Sequence, residues 1–132
     1  MFRIVYVSKA LARFPEKDLR SLLLVARSKN SAAEVTGMLV YSAGQFLQAL
    51  EGEPAAVVST FERISVDPRH TDVKTLQRGI YTDRWFANWA MGFHSDQVEP
   101  HLVQISDRIN LSALDDLSAV DFLRSCSQAQ TF

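Results

Sequence analysis

The sequence predicts an α+β domain of the ferredoxin-like kind: a βαββαβ core with an extra fifth strand and two C-terminal helices. Three observations predict it. Apolar residues recur at strand and helix spacing in the order strand, helix, strand, strand, helix, strand. The second and third strands are separated only by a tight turn at Ala43–Gly44, as in an antiparallel hairpin. The chain has 132 residues, 47% of them hydrophobic and 22% charged, which gives one domain with a substantial core.

Phe2 to Ser8 alternates, with Phe2, Ile4, Tyr6 and Ser8 on one face and Arg3, Val5 and Val7 on the other. The apolar character of both faces predicts a strand covered on both sides. Pro15 suits the first turn of a helix, with Glu16 and Asp18 near its positive end. Leu19, Leu22, Leu23 and Ala26 recur at helical spacing, and Asn30, four beyond Ala26, closes that stripe. The first helix is therefore expected from about Pro15 to Asn30. The stretch TGMLVYSAGQFLQALEG, from Thr36 to Gly52, reads as the hairpin.

Pro54 opens a second helix with Val57, Val58, Phe61 and Ile64 inward, and Asp67–Pro68 ends it. DVKTLQRGIY (72–81) is a fourth strand. WAMGF (89–93) is a fifth, with Trp89, Met91 and Phe93 on one face. Val98 to Ile105 and Ser112 to Cys126 read as helices, with Ser112 a good N-cap. The two long helices are expected on one sheet face and the two C-terminal helices on the other. Residues 1–95 then form the core domain, and 96–132 a helical extension packed on the sheet.

Several function classes fall away. A formal net charge of −1 gives no long-range pull toward nucleic acid or anionic lipid. No apolar run approaches the ~18 residues of a membrane span. Cys126 is the one cysteine, and no secretory leader precedes the charged stretch FPEKDLR, so a cytoplasmic protein is expected. His70, His94 and His101 form no metal-ligand spacing, and there is no G-x-G-x-x-G or other glycine-rich phosphate cradle. A small ferredoxin-like hydrolase stays as an alternative without a motif behind it; the expectation is a protein that is not an enzyme.

Three polar residues stand out because the pattern turns them inward. Tyr6 shares the Phe2/Ile4 face, Gln48 shares the Phe46/Leu50 face, and Asn30 ends the apolar helix stripe. The first and third strands are neighbours in this topology, with the first helix across them. Each residue alone has a bland account: a core tyrosine bonded to a carbonyl, a helix C-cap, an amide serving a kinked backbone. An unpaired buried polar group costs on the order of 1–3 kcal/mol, so three converging ones point to a shared guest. That guest is flat, rich in donors and acceptors, and seated between the helices.

The strings IVYVS, ARSKN, TGMLVYSAGQFLQALEGE, DPRH and RWFANWAMGF, at their intervals, resemble the BLUF family of FAD-using blue-light sensors, from Phe2 to about Phe93. The resemblance implies that two helices flank a flavin. It makes Tyr6 the redox tyrosine, Gln48 the switch glutamine and Asn30 the ligand of the flavin's carbonyl edge. Ser8, Arg27, Asp67, Arg69 and His70 fall on positions that serve the pocket, its ribityl-phosphate side and its mouth. Lys29 departs from the histidine of some members and is expected to tune the site. Trp89 and Met91 match the pair that relays the flavin's state. FAD is the implied cofactor, with FMN and riboflavin expected to bind too.

The implied mechanism is light-driven electron and proton transfer from Tyr6 by way of Gln48. A rearranged amide follows, which red-shifts the flavin band and signals through the last strand and C-terminal helices. The chain carries no recognisable output enzyme, so the signal is expected to leave by binding a protein partner. A homodimer through the sheet or those helices is compatible with the sequence. The other alternative is a flavin- or ligand-binding regulatory module without photochemistry.

Overall fold

The computed structural model of the chain describes residues 1–12, 14–86, 92–95 and 121–123. Its elements are β1 (Phe2–Ala10), α1 (Glu16–Ala33), β2 (Thr36–Ser42), β3 (Gln45–Gly52), α2 (Pro54–Ser65), β4 (His70–Ile80) and β5 (Gly92–Ser95). They build one sheet in the order β4-β1-β3-β2-β5. The first four strands in that order pair antiparallel, and β5 joins β2 in parallel. This is the expected split βαβ arrangement with its fifth strand added at the β2 edge.

The period of two sorts side chains to the two faces. Ile4, Leu39, Phe46 and Leu50 meet Leu19 and Leu23 of α1 and Val57 of α2, so both helices cover one face. Val5, Val7, Met38, Val40, Leu47 and Ala49 form a second cluster on the other face, with Leu76, Phe86 and Leu123. Strand β1 is thus covered on both sides, which is why both of its faces are apolar. Asp121–Leu123 are helical, and Leu123 is fully buried in the second cluster. The rest of the two expected C-terminal helices, and the 95/96 boundary with them, lie outside the described residues.

The hairpin has a two-residue turn, since Ser42 pairs with Gln45. Ala43 and Gly44 both take positive φ, at 51° and 75°. That is the turn whose twist matches paired strands, and glycine adopts it without strain.

Several boundaries differ from expectation: β1 runs to Ala10 instead of Ser8, and β5 reaches Ser95 instead of Phe93. Helix α1 starts at Glu16, with Pro15 extended in the N-cap place and its carbonyl accepting from the N–H groups of Asp18 and Leu19. It runs three residues past Asn30, because Ser31, Ala32 and Ala33 contain no stop signal. It ends at Glu34, left-handed at φ 56°, whose N–H donates to the carbonyls of Asn30 and Ser31. The Asn30 side chain is therefore not a helix cap. Strand β4 begins at His70 instead of Asp72, and its pairing with β1 shifts register twice, once on each side of the Val7 and Tyr6 rungs.

Candidate functional site: a cleft between the two helices

Tyr6 and Gln48 are direct cross-strand partners on β1 and β3, on the helix-covered face. The Tyr6 hydroxyl donates to the Gln48 Oε1. Both side chains are buried, as is Asn30, which α1 brings over the same part of the sheet. The Tyr6 ring lies 5.4 Å from the Phe61 ring and 6.4 Å from the His70 ring, centroid to centroid. Burial raises the phenol's pKa, and the negative charge of Asp67 adds to the effect, so the hydroxyl stays protonated at neutral pH.

His70, at the start of β4, ties three elements together. Its Nε2 lies 2.6 Å from the Ile64 carbonyl, which can only accept, so that nitrogen carries a proton. Its Nδ1 lies 2.7 Å from the Ser8 hydroxyl, which donates to it in the neutral ring. Ser8 is buried and supports the cleft through this bond. Next to it, the Arg69 guanidinium grips the Asp67 carboxylate, with Nε at 2.9 Å and Nη2 at 2.6 Å. Asp67 also accepts the Arg69 backbone N–H at 2.9 Å. The hydrogen bonds from Arg69 hold the carboxyl well below its usual range, at about 2.

Between α1 and the C-terminal end of α2 lies a cleft that opens to solvent. Its floor is Leu39, Phe46, Tyr6 and Gln48 from the sheet. Leu22, Val25, Ala26 and Asn30 of α1 form one wall, Ile64 and His70 the other, and Phe14 closes an end. Lys29, Arg63, Asp67 and Arg69 stand among the lining residues. Three buried amide or phenol groups set in apolar walls fit a flat heteroaromatic ring with a polar edge. Three cations against one carboxylate fit an anionic tail. A flavin nucleotide has both.

Seven of the residues singled out from the sequence line this cleft: Tyr6, Lys29, Asn30, Gln48, Asp67, Arg69 and His70. Ser8 sits behind it, bonded to His70. Arg27 is exposed on α1 and is not among the lining residues. Trp89 and Met91 lie outside the described residues. Sequence reasoning missed Phe14 and Arg63. Phe14 has no periodic signal, since it precedes the helix. Arg63 sits on α2 next to the inward Ile64, where a charge reads as a solvated face. Among the described residues there is no cluster of side chains suited to a metal ion and no helix long and apolar enough to cross a membrane.

Comparison with known proteins agrees with this geometry. A family model described as sensors of blue-light using FAD matches residues 1–92. The beta subunit of a photoactivated adenylate cyclase from Euglena gracilis is 38% identical over 87 residues, 62% of this chain and 10% of that protein. The chain thus spans about a tenth of the length of such curated relatives. The ground-state structure of BlsA superposes with a TM-score of 0.83 at 27% identity, covering 99% of this chain and 90% of that one. A bacterial light-regulated adenylyl cyclase superposes with a TM-score of 0.70 at 36% identity, over 71% of this chain and 28% of that one.

Proposed function

The chain belongs to the BLUF family, the blue-light sensors that use FAD, and from that premise we propose that its switch is the Tyr6–Gln48 pair, read out by a protein partner. The observation that carries this reading is the buried hydrogen bond from the Tyr6 hydroxyl to the Gln48 carboxamide, on the floor of the cleft.

When bound, the flavin supplies blue absorption and, once excited, an electron acceptor. Tyr6 is suited to be the donor: its phenol is neutral and its proton already points at Gln48. Gln48 is suited to relay that proton, because one end of a carboxamide accepts and the other donates. An asparagine there would be too short, and a glutamate would bury a charge. With Tyr6 again holding its proton, the Gln48 amide would be left rotated or tautomerised and the hydrogen bonds at the cleft floor exchanged. Such an exchange is worth roughly 1–3 kcal/mol, the size of a typical allosteric coupling.

Asn30 would hold the ring's polar edge from α1. Lys29 and Arg63 would face the phosphate side; neither makes an ion pair among the described residues, whereas Arg69 is neutralised by Asp67. These roles make FMN as well as FAD an acceptable ligand. The signal would pass along the segment holding Trp89 and Met91 and through the C-terminal helix seated by Leu123 to a protein partner, with the chain itself performing no catalysis. The test is the visible spectrum of the flavin-loaded protein in darkness and after blue illumination. A reversible red shift is expected, and an unchanged spectrum would reject the photochemical reading.

A further inference from the structure

On the sheet face away from the cleft, Arg3 and Glu51 are direct cross-strand partners and both are fully buried. The Arg3 Nε donates to Glu51 Oε2 at 2.7 Å, and the charged contact closes to 2.6 Å at Nη2. The pair also grips backbone. Glu51 accepts the N–H of Trp85 at Oε2, 3.0 Å, and of Phe86 at Oε1, 2.8 Å. Arg3 donates to the Asp83 carbonyl at 2.7 Å, and its guanidinium is held against the rings of Trp85, at 3.9 Å, and Tyr81, at 4.5 Å.

Two buried charges are costly, and well-packed apolar residues often replace such a pair without loss of stability. Apolar side chains here would take these partners from the Asp83 carbonyl and the Trp85 and Phe86 N–H groups, the last of them buried. The pair is therefore an anchor for that segment, and its geometry tolerates little displacement, because each charge depends on the other.

The anchor shares its two strands with the switch. Arg3↔Glu51 and Tyr6↔Gln48 are rungs of one β1–β3 ladder, three residues apart. An odd separation places them on opposite faces. We propose that Arg3 and Glu51 are positioning residues that carry the rearrangement at Gln48 through the sheet to the backbone of Trp85 and Phe86, the start of the segment that leads to β5. Strand β3 is the common lever: Gln48 is on its cleft side and Glu51 on its far side. Arg3 Nη1 is buried without a partner among the described residues, so the cluster holds a donor ready for a second arrangement. This inference rests on the Tyr6–Gln48 reading given above.

The test is hydrogen exchange of the flavin-loaded 132-residue chain, dark against illuminated, with the spectrum recorded on the same samples. The Trp85 and Phe86 amides are expected to change protection by about fivefold or more on illumination. Glu51→Gln keeps an acceptor for one amide and removes the charge. It is expected to bind flavin and red-shift, but to change the dark-recovery rate by about fivefold and lose the light dependence at those amides. A red shift with unchanged Trp85 and Phe86 exchange would overturn this inference alone, as would a Glu51→Gln variant that behaves like wild type. No red shift in the wild-type chain would overturn the switch itself, and the inference with it. The wild-type comparison decides the question should Glu51→Gln fail to fold.

Discussion

Tyr6 and Gln48 face one another across the β1–β3 ladder, and the phenol donates its hydrogen bond to the carboxamide oxygen on the helix-covered face. The pairing follows from register alone. Once Ile4 and Leu50, themselves partners, are committed to the core, a period of two brings Tyr6 and Gln48 to the same face one step later.

Tyr6→Phe removes the donor and leaves the ring packing. It is expected to bind flavin and to lose the reversible red shift, measured by light-minus-dark absorption. The wild-type response is expected to stay constant from neutral pH to about pH 10, the ordinary tyrosine range, because burial raises the folded-state pKa above it. Above that value the unfolded phenol ionises first, so this group lowers stability as pH rises further.

Asp67 makes the opposite kind of contribution. Its folded-state pKa is depressed, from 3.8 to about 2, by the hydrogen bonds from Arg69. The stabilisation is present above the unfolded pKa and is lost as pH falls between roughly 4 and 2. Arg69 is half-exposed, so screening leaves at most about 1 kcal/mol. In urea titrations, Asp67→Asn is expected to destabilise at pH 7 by that amount, and the difference from wild type to vanish as pH falls through about 2.

Lys29 and Arg63 are expected to discriminate among flavins. Lys29→Gln with Arg63→Gln should weaken FMN binding by about tenfold, through the loss of two charge-assisted contacts. Riboflavin binding should hardly change, and fluorescence-quenching titrations against both ligands check the difference. Arg27→Gln, on the exposed side of α1, is expected to leave both affinities unchanged.

The hairpin turn can be improved. Ala43 sits at φ 51°, where an alanine is strained, and Gly44 follows. Ala43→Asn creates the Asn-Gly pair favoured by such turns. Stability is expected to rise by about 0.5–1 kcal/mol, seen as a higher urea midpoint with an unchanged slope.

Periodicity alone was enough to read the four antiparallel strands, the hairpin turn and both covering helices, because alternation and helical recurrence record burial directly. It also brought Tyr6, Gln48 and Asn30 to one interface, since each shares a face with core residues. The end of α1 was less legible: Asn30 looks like a terminus, but a helix without a breaker continues until the backbone turns left-handed at Glu34. The Arg3–Glu51 anchor was not legible. Nothing local marks a pair 48 residues apart, and a charge on an otherwise apolar face gives no sign of the backbone groups it will bind. Arg63 was hidden for a related reason, because one charged residue on a surface helix resembles any other.

The most direct measurement is the light-minus-dark absorption spectrum of Gln48→Leu beside the wild-type chain, both loaded with FAD. The wild-type band is expected to move reversibly to the red and that of Gln48→Leu to stay fixed, with flavin still bound. A reversible red shift of wild-type size in Gln48→Leu would contradict the assignment of Gln48 as the switch.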